Sequence, residues 1–201
     1  MKRRSLISAV FLASLVAAES SRIPDGGNQT TDIRAFLNTT ELIWTTNTTA
    51  AVRHICKVDR IEHIAQENIT FYRSYYHESR WKMTEYFGNF KQYFNVTPTE
   101  AYYSMDVTTK SGRYRVTETL HYQSPNNDCA VFWILGTHGY LLRPWYEMRM
   151  KDSKLKRGFE YDMCWEALKQ AASRRKIRPA YDSRCHKVLD EKYPSPLNFL
   201  D

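Results

Sequence analysis

Four cysteines, Cys56, Cys129, Cys164 and Cys185, stand in a chain that begins like an exported protein. Lys2, Arg3 and Arg4 form a positive segment and Leu6 to Val16 a short apolar one. Val16-Ala17-Ala18 then offers small residues for cleavage before Glu19. Residues 1–18 are therefore read as a signal peptide. That apolar stretch is too short to span a bilayer comfortably, and no later stretch is apolar enough to do so. An even cysteine count in a secreted chain implies disulfides. Four cysteines allow three pairings, and the sequence alone does not choose between them. One of the three, Cys129 with Cys164 and Cys56 with Cys185, would tie both ends of a C-terminal helical segment to the strands before it. No Cys-x-x-Cys spacing occurs, which argues against zinc.

Cleavage after Ala18 leaves about 183 residues, enough for one domain with a real core. The formal net charge of +7 falls to about +4 once Lys2, Arg3 and Arg4 are gone. The basic runs Lys151, Lys154, Lys156, Arg157 and Arg174, Arg175, Lys176, Arg178 read as a solvated helix face and a charged turn. Such a surface steers acidic ligands, and a secreted chain gives it little occasion to meet nucleic acid. Asn-x-Thr sequons at Asn28, Asn38, Asn47, Asn68 and Asn95 are expected glycan sites in an exported protein. Asn95 is the weakest of them, because Pro98 follows Thr97.

Residues 19–31 are polar and contain Pro24, Gly26 and Gly27, a flexible leader. Asp32 then caps a short helix carrying Ile33, Phe36 and Leu37. From Leu42 the hydrophobic period changes from helical to alternating. Strands are expected over 41–48, 54–64, 69–77, 81–88, 100–108, 113–122, 129–135 and 144–151, with Gly, Asn and Pro turn signals between them. This pattern predicts an all-β sandwich or an up-and-down barrel. A helix is expected from Asp162 to Arg175, its last turn basic as the helix dipole favours. The tail from Lys192 reads as irregular. Residues 32–201 form one domain on this reading, with no internal repeat.

The order of several short motifs resembles a known family. The helix Asp32 to Asn38 is followed by Leu42-Ile43-Trp44 and Cys56. Later come Asp128-Cys129-Ala130-Val131-Phe132, Trp145-Tyr146-Glu147-Met148-Arg149, Tyr161 to Cys164, and finally Cys185. Over nearly the whole mature chain this is similar to the tick salivary lipocalins of the histamine-binding protein family. The resemblance implies an eight-stranded antiparallel lipocalin-like barrel with a short N-terminal helix and a C-terminal helix packed outside. It also implies the pairing Cys56–Cys185 and Cys129–Cys164. Its functional implication is sequestration of a small host mediator in the barrel, which aids evasion of host defence. That mediator is a biogenic amine such as histamine, or alternatively a leukotriene or fatty acid. A third alternative is inhibition of a host defence protein. The amine-binding members resemble one another in a cysteine–aspartate–aliphatic triplet and a later glutamate–leucine–aromatic triplet. Here these read Cys129-Ala130-Val131 and Glu147-Met148-Arg149, so the first acid is absent and a cation replaces the aromatic.

Alternation then assigns inward faces. Tyr114, Val116, Glu118, Leu120 and Tyr122 share the apolar side of one strand, Trp81, Met83, Glu85 and Phe87 that of another, and Ala101, Tyr103, Met105 and Val107 that of a third. Strand 69–77 is aromatic on both faces and leaves Arg73 undecided. An inward carboxylate needs a partner. Glu118, Glu85 and Glu147 either attract a cationic amine with help from aromatic faces, or pair with Arg73, Arg149 or a tyrosine hydroxyl, or point outward. Trp81, Tyr114 and Tyr103 are candidate aromatic contacts. Arg73 or Arg149 would suit a ligand carboxylate. No catalytic triad, phosphate-cradling loop or His-x-x-x-His spacing is legible, so a non-enzymatic monomer without cofactor, metal, membrane or nucleic-acid partner is expected.

Overall fold

The computed structural model describes residues 31–51, 54–77, 80–92, 101–136, 142–157 and 163–192. The expected signal peptide, nearly all of the leader, the sequons at Asn28 and Asn95, and the tail beyond Lys192 lie outside them. The described elements are α1 (Ile33–Leu37), β1 (Ile43–Thr48), β2 (Ile55–Ile64), β3 (Asn68–His77), β4 (Arg80–Lys91), β5 (Ser104–Thr109), β6 (Arg115–Gln123), β7 (Cys129–Gly136) and β8 (Trp145–Lys151). After them come α2 (Asp152–Arg157), α3 (Met163–Ala172), β9 (Arg178–Pro179) and α4 (Arg184–Lys192).

Strands β2 to β8 pair antiparallel in chain order, and β1 closes the ring between β8 and β2. All eight strands read from alternation are present, most within two residues of the expected ends, and they form a closed barrel. Contact between β1 and β2 covers only Ile43–Asp59 and Trp44–Val58. Higher up, β9 pairs with Asn47 and Thr48 instead. The Ala180 N–H donates to the Thr46 carbonyl at 2.8 Å, and the Cys56 N–H donates to the Ala180 carbonyl at 2.7 Å. A C-terminal segment thus fills the gap in the wall. That segment, α2 and α4 were not visible in the hydrophobic pattern, because none of them carries a long periodic stripe.

One end of the barrel is sealed. Asp32 caps α1 by accepting from the Arg34 N–H at 3.0 Å, and its own N–H donates to Gln123 Oε1 at 2.8 Å. This places Ile33, Phe36 and Leu37 inside, all fully buried or nearly so, against Phe132 and the inner residues of β3 to β6. Each such side chain contributes about 1.5–3 kcal/mol on burial. Gly88 has a steric role here. A Cβ at that position would lie 2.7 Å from Ile69 Cγ2 and 3.1 Å from Met105 Sδ.

Two helices cover the outside. Helix α3 packs Cys164, Ala167 and Leu168 on Val131, Met148 and Met150. Around α4, Cys185, Leu189 and Tyr181 pack against Trp44, Val58 and Trp81. Disulfides Cys129–Cys164 and Cys56–Cys185 fasten these helices, at sequence separations of 35 and 129. The chain-entropy relation gives loops of these lengths about 4 and about 5 kcal/mol. The pairing is the one the family resemblance implied. No described helix is long and apolar enough to cross a membrane.

Candidate ligand-binding site

Above the sealed end the barrel interior is ionic. Among the described residues, six charged side chains, three of each sign, point inward from four strands: Lys57 and Asp59 on β2, Arg73 on β3, Glu118 on β6, Glu147 and Arg149 on β8. All are buried. The Arg73 guanidinium binds both Asp59 oxygens at 2.7 Å and Glu118 Oε1 at 2.8 Å. Arg149 reaches Glu118 Oε2 at 2.6 Å and Glu147 Oε2 at 2.8 Å. Lys57 Nζ lies 2.6 and 2.7 Å from the two Glu147 oxygens. Aromatic faces complete the setting, with the Arg149 guanidinium 4.3 Å from the Phe132 ring centre and that of Arg73 5.1 Å from Phe71.

Burial alone would raise the Glu118 carboxyl, but the Arg149 and Arg73 guanidiniums reverse this and bring it down to about 2. Burial likewise opposes ionisation of Glu147, and Lys57 and Arg149 hold it well below the usual carboxylate range. Burial works against Arg73 and Arg149 too, yet their acid partners keep both firmly charged. The network is neutral as a whole, which is the condition for keeping six charges out of water.

This layer floors a cavity of about 1120 Å³ that reaches the open end. Tyr75, Tyr86, Tyr114 and Trp145 form its aromatic walls. Tyr86 and Tyr114 meet edge-on at 5.2 Å, and His54 stacks on Tyr75 at 4.1 Å. Burial lowers His54 to about 4, with Lys57 next in effect, so its ring is neutral at physiological pH. At the mouth stand Lys82, Arg143 and Arg175. Lys82 and Arg143 are exposed, and so is Arg175, whose NH1 donates to the Pro144 carbonyl at 2.7 Å. Among the described lining residues Glu147 is the only acid, set against Lys57, Arg73, Lys82, Arg143 and Arg175.

The structure brings Glu118, Glu147, Arg73 and Arg149 into one network, with Glu147 and Arg73 also bordering the cavity. Tyr114 lines the cavity. Tyr103 is half-buried just before β5, away from the lining. Glu85 and Trp81 stand on the outer face, contrary to the inward assignment. Arg73 faces Thr84 across the β3–β4 ladder, so Tyr72 and Glu85 share the opposite side. Trp81 drew the wrong inference because it is apolar for a different reason, its packing near α4. Tyr122 also leaves the interior. A bulge between Leu120 and Tyr122 turns it toward the cluster beneath α3. Lys57 and Asp59 were missed. Their signal was two charges at i and i+2 in the first half of the strand, hidden because Cys56 and Val58 on the other face are buried as well and because Arg60 and Glu62 follow on the same strand.

No family model matches the chain, and no curated protein matches it. Among solved structures it is similar to AM182 in its serotonin complex, at 15% identity over 73% of this chain and 85% of that one, with a TM-score of 0.51. It is also similar to the siderocalin Ex-FABP, at 6% identity over 71% and 93%, with a TM-score of 0.50. At these identities the likeness is one of fold: a lipocalin-like antiparallel barrel with a helix outside.

Proposed function

We propose that the protein is exported and sequesters a small amphipathic anion, a fatty-acid- or eicosanoid-like carboxylate, in the barrel cavity. One observation carries this reading. The inward acids are saturated by the barrel's own cations, while the mouth presents Lys82, Arg143 and Arg175. An apolar ligand body lies against Tyr75, Tyr86, Tyr114 and Trp145, and its carboxylate stays at the mouth. The charge layer below prevents the tail from reaching the sealed end.

A biogenic amine would need a carboxylate to receive it. Glu118 is absent from the described cavity lining and already bridges two guanidiniums. Glu147 accepts five hydrogen bonds, from Lys57, Trp145 and Arg149. The departures at Ala130 and Arg149 from the amine-binding motif point the same way. Disulfides and the N-terminal leader pattern support export. The resemblance to tick salivary lipocalins supports a role in removing a host mediator. The sequons at Asn38 and Asn68 lie on exposed residues and are proposed glycan sites, whereas Asn47 is half-buried.

Calorimetry with arachidonate, its methyl ester and serotonin tests the reading. Arachidonate binds, the neutral ester binds at least about tenfold more weakly, and serotonin gives no heat. Lys82→Glu and Arg175→Glu each weaken arachidonate and leave folding intact. Serotonin binding without arachidonate binding would restore the amine reading. Silence from all three would favour a protein partner.

A further inference from the structure

Among the described residues Lys57 is the only primary amine in the ionic layer, and the anion reading gives it no task. Its side chain is 7% exposed, yet it borders the cavity, with the rings of His54, Tyr75 and Tyr86 among the other lining residues. Both oxygens of one carboxylate, Glu147, lie within 2.7 Å of its nitrogen. A desolvated lysine amine is the nucleophile that captures carbonyl compounds as imines. A carboxylate fixed beside it is the counter-ion that a protonated imine requires.

We propose that Lys57 captures conjugated aldehydes covalently, as a protonated imine held against Glu147 inside the barrel. The ammonium first gives a proton to water. The free amine attacks the aldehyde carbon, forming the C–N bond as the C=O π bond breaks, and a proton passes from nitrogen to oxygen. Protonation of that hydroxyl lets it leave as water while the nitrogen lone pair forms C=N. The sum is ammonium plus aldehyde to iminium plus water, with no change of oxidation state.

Charge is conserved across that sum, which is why the site tolerates it. An iminium replaces an ammonium opposite Glu147, so Arg149, Arg73, Glu118 and Asp59 keep their balance. Burial, and after it the Arg73 charge, lowers the Lys57 ammonium to about 8. About a tenth of it is then free amine at pH 7, far more than for a solvated lysine. The aromatic walls suit a flat conjugated chain, and the aldehyde needs no anionic group, so this capture stands apart from the anion reading.

The experiment uses the intact protein with limiting all-trans-retinal, and separately cinnamaldehyde, at pH 7, followed by cyanoborohydride and peptide mapping. The expected result is one dominant adduct, on the peptide bearing Lys57, with the mass of the aldehyde less water plus two hydrogens. Before reduction, bound retinal shows the red-shifted absorbance of a protonated imine. Lys57→Arg keeps a cation on Glu147 and loses both signals, while circular dichroism confirms its fold. If that variant does not fold, the mapped position in the unaltered protein decides. Label spread over surface lysines, or an unmodified Lys57 with both aldehydes, overturns the proposal. Arachidonate calorimetry reads the anion site separately, so either result can fail without the other.

Discussion

The two halves of the barrel are equally buried and oppositely built. At the sealed end, Ile33, Phe36, Leu37, Phe132 and Met105 exclude water by apolar packing. One layer higher, Arg73, Arg149, Glu118 and Glu147 exclude it with matched charges. The first arrangement gains free energy from each methylene removed from water. The second gains little on balance, since Coulomb attraction there chiefly offsets desolvation. Its value is architectural. A hydrophobic floor would let an apolar ligand slide to the helix plug, whereas a neutral salt layer stops it and leaves the mouth cations as the dominant field.

Four measurements sharpen this contrast. Removing one charge from the layer should hurt most, because it strands the others. Arg149→Met is expected to destabilise by about 3–5 kcal/mol in urea unfolding. Adding Glu118→Gln should recover part of that loss, and full additivity of the two changes would show that the groups are not coupled.

Acid comes next. The folded-state carboxyl of Glu118 is lowered, so its contribution is complete above 4.5, the unfolded value, and disappears as pH falls through about 2. By linkage this is about 3 kcal/mol, and Glu147 adds in the same direction. Melting temperature should therefore drop steeply below pH 4.5, and the drop should shrink in Glu118→Gln. An unchanged acid slope in that variant would remove Glu118 from the account.

At the sealed end the responses should ignore pH. Gly88→Ala places a methyl against Ile69 and Met105 and is expected to cost about 1–3 kcal/mol, equally at pH 7 and pH 4. The smallest effect belongs to Asp32→Ala. Loss of the α1 cap costs about 1 kcal/mol, read as a lower melting point and faster amide exchange at Arg34. A larger loss would mean that the Asp32 contact to the Tyr102 N–H, 3.3 Å away, matters more than the cap.

The same contrast explains what the sequence made legible. Where one face is apolar and the other wet, alternation places side chains correctly, as for Val116, Glu118 and Leu120 on β6. It fails where helices cover the outer face. On β2, Cys56 and Val58 look like the core side because α4 buries them, so Lys57 and Asp59 pass for solvent residues. On β4, Trp81 and Met83 outweighed Thr84 and Tyr86, although Met83 is 46% exposed. Bulges defeat the period directly, as at Tyr122. The acids at 118 and 147 could be picked out as anomalies, but their partners lie across the barrel on other strands. Pairing of that kind is a property of closure, which no local window contains.

Closure also orders events in time. Strand β1 receives most of its hydrogen bonds from β8, about a hundred residues later in the chain. Until β8 has been synthesised and has swung round, β1 presents a bare edge, the kind of edge that recruits foreign strands. Nor can Asp59 and Arg73 meet Glu118 and Arg149 before that moment, so a half-made chain holds unpaired ions where the finished one holds none. The nascent protein should therefore be most sticky just before its last strand arrives, and a chaperone acting on it would do its service in that interval.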